Sequence, residues 1–169
     1  MASTSKAAEP SVILACHEYV VSMATRRVER LVLADEVEVA PAKAAGQGNV
    51  QVVRVGKSRY AAWNLGRMFE LNPLKGSWVL LKIPHAGAEL PMALAVGRCL
   101  LVSPVKDVTP LPPGVFRTRR SALWGAFPCA SIQGKLGGAL MGLCLDPLRL
   151  WTREELEKSA AALIAAHAQ

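Results

Sequence analysis

The feature that most constrains this chain is its punctuation. From Val12 to Val102, short runs of β-prone residues follow one another, and each is closed within a few positions by Gly, Pro, Asn or a charged pair. Runs of that length suit strands, because a stable helix needs ten or more periodic residues. Val50–Val55 alternates, Gly56-Lys57-Ser58 reads as a turn, and Tyr60–Leu65 reads as the next strand. Trp78–Ile83, Leu90–Val96 and Arg98–Val102 follow as strands, with a turn over Pro84–Glu89 and a break at Gly97. Val12–Met23 fits a hairpin or two short strands around His17-Glu18. In Val28–Val39 the end, Glu36-Val37-Glu38-Val39, alternates as a strand with one wet face, and the first half fits a strand or a single helical turn.

Prolines 104, 110, 112 and 113 make Ser103–Gly114 an extended link, since they forbid helix and interior strand. Beyond it, Trp124–Ile132 and Ala139–Leu145 are expected to pair across a turn containing Gly134, Gly137 and Gly138. Gly66–Asn72 fits one or two helical turns. The C-terminus is helix: Thr152 followed by Glu155 forms the capping-box pattern, acids fill the first turn, and Leu156, Ala160, Leu163 and Ile164 are expected on the buried face. The layout is about nine or ten short strands and one terminal helix, the pattern of small barrels. Residues 1–11 are expected to be a disordered tail, the folded domain to span 12–156, and the terminal helix to span 152–168.

Composition narrows the functional classes. Half of the chain, 51%, is hydrophobic, so a real core forms and wholesale disorder is excluded. No run of eighteen apolar residues exists, and the N-terminus lacks the apolar stretch of a secretory signal, so a cytoplasmic location is expected. Cysteines 16, 99, 129 and 144 are widely spaced, three of them in apolar stretches, and are expected to be buried free thiols. The net charge is +7. Its excess sits in residues 50–83, which carry Arg54, Lys57, Arg59, Arg67, Lys75 and Lys82 against the single acid Glu70. Such a patch suits an acidic protein, nucleic acid or an anionic surface.

Chemistry is not expected. The histidines, 17, 85 and 167, are scattered, and neither CxxC nor HExxH occurs, so no metal or cofactor is expected. No GxSxG marks a nucleophile. The glycines around Lys135 resemble a hairpin turn more than a phosphate loop. Glu36 and Glu38 suit a solvated face, and Asp146 before Pro147 suits a turn or cap. Tyr60, Trp63 and Phe69 near the first basic patch are expected in the core, which weakens a nucleic-acid reading built on stacking. Arg117, Arg119 and Arg120 form a second basic run.

The order of these segments resembles the CheW-like domain of bacterial chemosensory adaptors. Val12–Met23 with Tyr19, then Val28-Glu29-Arg30-Leu31, is similar to the family's opening strands. Val53-Arg54-Val55-Gly56 and Ala61–Leu65 resemble its Leu-Arg-Gly and Pro-Val-Ile-Asp-Leu steps, with Asn64 in place of the Asp, and Arg67 and Phe69 fall where it runs Arg-x-x-Phe. Trp78–Ile83, Leu90–Val96 and Leu100–Val105 resemble its third block, Pro110–Pro113 its proline step, and Gly125-Ala126 and Leu143–Leu150 its closing strands. The resemblance implies a mostly β fold of two intertwined five-stranded, SH3-like β-barrel subdomains with a hydrophobic groove between them and a C-terminal helix. It also implies a non-catalytic adaptor that couples a histidine kinase to chemoreceptors, or binds a response regulator or other signalling partner, in the cytoplasm at membrane-associated arrays. Arg54 carries over as a protein-binding residue, and charge and turn position add Lys57 and Arg59. The alternative is that Arg54 pairs with a nearby carboxylate and that the basic β-domain binds nucleic acid or an anionic surface.

Overall fold

A computed structural model of the chain describes residues 9–39, 50–112, 122–131 and 140–168. The chain starts a first sheet with β1 (Pro10–Cys16) and β2 (Tyr19–Ala24), a hairpin turning at His17-Glu18. It then crosses to a second sheet for β3 (Val28–Val32), β4 (Glu38–Val39), β5 (Gln51–Val55), β6 (Ser58–Asn64), β7 (Trp78–His85) and β8 (Ala88–Ala95), with the one-turn helix α1 (Leu65–Met68) after β6. It returns to the first sheet with β9 (Arg98–Pro104), β10 (Thr109–Pro110), β11 (Leu123–Pro128) and β12 (Met141–Leu145), and closes with α2 (Arg153–His167).

The spatial orders are β10-β11-β12-β2-β1-β9 and β3-β7-β8-β6-β5-β4. Each sheet is therefore five full strands plus a two-residue edge strand, β10 or β4, and the first sheet is built from both ends of the described chain. Only β12 with β2 and β6 with β8 run parallel. The two intertwined five-stranded subdomains expected from the resemblance are these two sheets.

Side-chain alternation explains the long apolar runs. Along β1, Val12, Leu14 and Cys16 enter a large core between the sheets, while Ile13 enters a smaller cluster inside the first sheet with Val20, Phe127 and Cys144. Along β7, Val79, Leu81 and Ile83 face the large core, and Leu80 faces a third cluster inside the second sheet with Val53 and Tyr60. Strands buried on both faces have no polar side to show, so their sequences run apolar instead of alternating.

The expected core aromatics are there: Tyr60 is buried, and Trp63 and Phe69 are half-buried against the large core. Cys16, Cys129 and Cys144 are buried, Cys99 is half-buried, and all four thiols are free. The capping box of α2 forms, with Glu155 N–H donating to Thr152 Oγ1 (3.2 Å) and Thr152 N–H donating to Glu155 Oε2 (2.9 Å). Asp146 caps the 3-10 turn Pro147–Arg149, accepting from Leu148 N–H at 3.0 Å.

Several expectations are corrected. In 28–39 the strand is the first half, Val28–Val32. Ala34–Glu36 is a 3-10 turn, because the Glu36 carboxylate accepts from Leu33 N–H (3.0 Å) and from Arg30 (2.7 Å) and folds the backbone back. Only Glu38–Val39 remains extended. The turn expected over Pro84–Glu89 is there but narrower: β7 and β8 continue to a two-residue hairpin at Ala86-Gly87, both at positive φ (49° and 77°). Pro84 is tolerated because β3 pairs only with residues 78–81, leaving one side of β7 open there. The proline-rich link carries β9 to Pro104 and an edge strand at Thr109–Pro110, both at sheet margins. On α2 the buried positions are Ser159, Leu163 and Ala166, and Ile164 is 73% exposed. Pro10 and Ser11, expected in the tail, belong to β1. The loop at 42–49, Arg117, Arg119 and Arg120, and the glycine-rich turn at 134–138 lie outside the described residues.

Candidate protein-binding surface

A mostly apolar opening lies where the β1–β2 hairpin and β12 meet the segment that links β6 to β7. Cys16, Tyr19 and Val21 form one wall, and Leu123, Leu143 and Leu145 continue it along β11 and β12. Leu65, Gly66, Phe69, Leu71 and Leu74 form the facing wall. The enclosed volume is about 170 Å³. At its rim Tyr19 is 43% and Leu71 38% exposed, so apolar surface opens to solvent.

One side chain organises the facing wall. Asn64, the last residue of β6, accepts through Oδ1 from the N–H groups of Gly66 (3.1 Å), Arg67 (3.4 Å) and Leu74 (2.9 Å). Its Nδ2 donates to Leu74 O at 2.9 Å. The amide thus caps α1 and clamps both ends of residues 65–74 together. The chain packs so tightly there that a Cβ on Gly66 would collide with Asn72 O. From across the groove, His17 Nε2 meets Asn72 O at 2.7 Å, tying the hairpin turn to this segment.

Burial keeps the groove chemically quiet. Desolvation pushes the Cys16 thiol up to about 11, against a weaker opposing contribution from a backbone hydrogen bond with Gly97. Cys144 is also raised by burial, opposed by a hydrogen bond with Ser22. A thiol held neutral is a poor nucleophile and a poor metal ligand. Among the described residues no group of three His, Cys, Asp or Glu side chains converges on a point that would hold a metal ion.

The basic residues singled out from the sequence stand elsewhere. Arg54 lies directly across from Glu38 in the β4–β5 register and forms an ion pair with it, the plain role weighed for it. Arg59 lies across from Arg54 and donates from Nη1 to the Ala166 carbonyl near the end of α2. Lys57 is exposed in the Gly56-Lys57 turn. This hairpin end of β6 is separated from the groove end at Leu65 by about 20 Å, at ~3.3 Å per residue. The fold therefore carries two surfaces, one apolar and one basic.

The groove residues carry no mark in the sequence. They are ordinary leucines and aromatics scattered from Cys16 to Leu145, and only the crossing of the chain between sheets collects them. The one local signal is Asn64, visible as a strand-ending residue before Gly66.

Comparison with known proteins bears on the fold. No family model and no curated protein matches the sequence. Among solved structures, the chain is similar to the crystal structure of the scaffolding protein TtCheW from Thermoanaerobacter tengcongensis. The TM-score is 0.63 at 12% identity, over 90% of this chain and 93% of that one. The fold is CheW-like, as the order of segments implied. No helix among the described residues is long and apolar enough to cross a membrane.

Proposed function

We propose that this chain is a non-catalytic adaptor that couples proteins in a bacterial chemosensory or related signalling system, working in the cytoplasm at membrane-associated arrays. The observation that carries the reading is the open apolar groove between the β1–β2 hairpin and residues 65–74, held in shape by Asn64. A concave, mostly apolar surface suits an apolar face of a partner, such as one stripe of a helix from a chemoreceptor or kinase. The fold it shares with the scaffolding protein TtCheW supports the same role.

The β5–β6 hairpin supplies the second contact. Lys57 is its exposed cation, and Arg54 stands beside it with its charge half-matched by Glu38. Arg59 holds α2 against the hairpin and so supports this surface from behind. A partner with acidic side chains meets this end, and rim charges of this kind govern orientation and association rate more than affinity. Two surfaces well apart allow one copy to join two proteins.

The test is affinity purification of the tagged chain from its own cells, with mass spectrometry, beside a Leu71→Glu variant. Recovery of a histidine kinase, chemoreceptor or response regulator is expected, falling about tenfold or more for the variant, because a charge at the groove rim opposes apolar docking. Recovery of none of these, or undiminished recovery with Leu71→Glu, refutes the reading. Retention on heparin with steep salt dependence in place of protein partners favours the nucleic-acid alternative.

A further inference from the structure

A second cavity, of about 460 Å³, opens where β1 begins and β2 and β12 end. This is the other end of the β1–β2 hairpin from Cys16 and Tyr19. Its character is different. Two 3-10 turns deliver arginines to it: Thr25–Arg27 brings Arg26 and Arg27, and Pro147–Arg149 brings Arg149. The buried residues Ser11 and Ser22 line it, with Ser22 bonded to Cys144, and Trp124, 46% exposed, stands at the side with Val105 and Val108.

The charges do not cancel. Glu9 pairs with Arg26 (3.4 Å). Asp146 is used twice, by Leu148 N–H and by Arg149 (3.4 Å). Arg27 also lines the cavity; it forms no ion pair among the described residues, and its buried Nε finds no acceptor there. A guanidinium donor withdrawn from water without an acceptor is costly, and such groups are rare in folded chains unless something binds them. Guanidinium favours planar, bidentate oxyanions.

We propose that this cavity binds a small organic anion, with a phosphate or carboxylate head on Arg27 and a planar body against Trp124. Ser11 offers a further donor to the head, and Arg26 and Arg149 set a positive approach while remaining held by their own acids. The volume is several times that of an inorganic anion, and the wall at Val105, Val108 and Trp124 gives the remainder an apolar, stackable surface. The site is independent of the adaptor reading, although Leu145 forms a wall of both openings.

The experiment titrates the full chain by calorimetry with three probes: guanosine monophosphate, indole-3-acetate and inorganic phosphate. The first two separate a phosphate head from a carboxylate head, and the third measures the head alone. At least one ring-bearing probe is expected to bind more tightly than phosphate. Arg27→Gln is expected to weaken it by about tenfold or more, Trp124→Ala to bring it down to the level of phosphate, and Arg98→Gln, an exposed cation on β9, to change nothing. Should Arg27→Gln fail to fold, Trp124→Ala, at a half-exposed side chain, decides alone. No binding of any probe, equal binding of phosphate and the ringed probes, or equal losses in Arg27→Gln and Arg98→Gln overturns the proposal.

Discussion

Asn64 is the position at which fold and groove are most tightly joined, and replacing it tests the account of both. Asn64→Ala removes the acceptor for three N–H groups and the donor to Leu74 O. Three of the four bonds lie between 2.9 and 3.1 Å, and the fourth, to Arg67 N–H, is long at 3.4 Å. At about 0.5–1.5 kcal/mol net for each good bond, the loss is about 2–4 kcal/mol. For a chain of this size that lowers Tm by about 5–15 °C. Asn64→Asp isolates one bond: the carboxylate keeps all three N–H donors but sets an oxygen against the Leu74 carbonyl, so a smaller loss of about 1–2 kcal/mol is expected. Thermal denaturation gives the magnitudes, and hydrogen exchange locates them, with faster exchange concentrated in residues 65–74. Because that segment supplies five of the eleven groove-lining residues, partner recovery falls in both variants. Wild-type Tm and unchanged exchange in Asn64→Ala would refute the claim that this amide clamps the segment. Lost stability with intact partner binding would refute the link from the clamp to the groove.

Three further outcomes are expected. Gly97→Ala sets a Cβ into the Ala15 carbonyl oxygen, and a loss of about 2–3 kcal/mol is expected by denaturant titration, since backbone on both sides prevents relaxation. The Cys16 thiol, neutral in the fold up to about pH 11, against 9.0 for an ordinary thiol, contributes stability that is whole below pH 9 and is lost as pH rises through 11, because the unfolded thiol releases its proton first. Cys16→Ala therefore flattens that part of the stability–pH curve, and at neutral pH a thiol reagent labels half-buried Cys99 well before Cys16. Reversing the ion pair in the double variant Glu38→Arg with Arg54→Glu changes stability by less than about 1 kcal/mol, because both side chains are more than half exposed. The reversal moves the positive charge from β5 to β4, and weakened partner binding in a folded protein assigns Arg54 to the interface, whereas full binding leaves it only the ion pair.

The placement of the two openings follows from the strand order. The β1–β2 hairpin has the apolar groove at its turn and the arginine-lined cavity at its open end, with β12 parallel to β2 beside both. Leu145 is a wall of both.

Local signals were legible in the sequence wherever the physics is local. The capping box at Thr152 and Glu155, the turn at Gly56-Lys57, the break at Gly97 and the strand of Trp78–Ile83 each depend on residues within a turn or a strand length of one another. The mostly β class was legible from the same short strands, and the two-subdomain arrangement was implied by the resemblance of the segment order to CheW-like domains. What the tertiary structure decided depends on contacts between distant residues. One exception is local: Glu36 closes a turn through Leu33 N–H and Arg30, three and six residues away, against the alternation that marks Glu36–Val39 as a strand. Ile164 faces water because α2 is rotated by its bonds to Trp63 and Arg59, with Ser159 and Ala166 turned inward. Arg54 and Arg59 look equivalent as charges, yet one meets a carboxylate across a strand pair and the other a helix carbonyl more than a hundred residues away. The groove and the arginine cavity have no sequence signature of their own, because their walls become neighbours only when the chain leaves the first sheet after β2 and returns to it at β9.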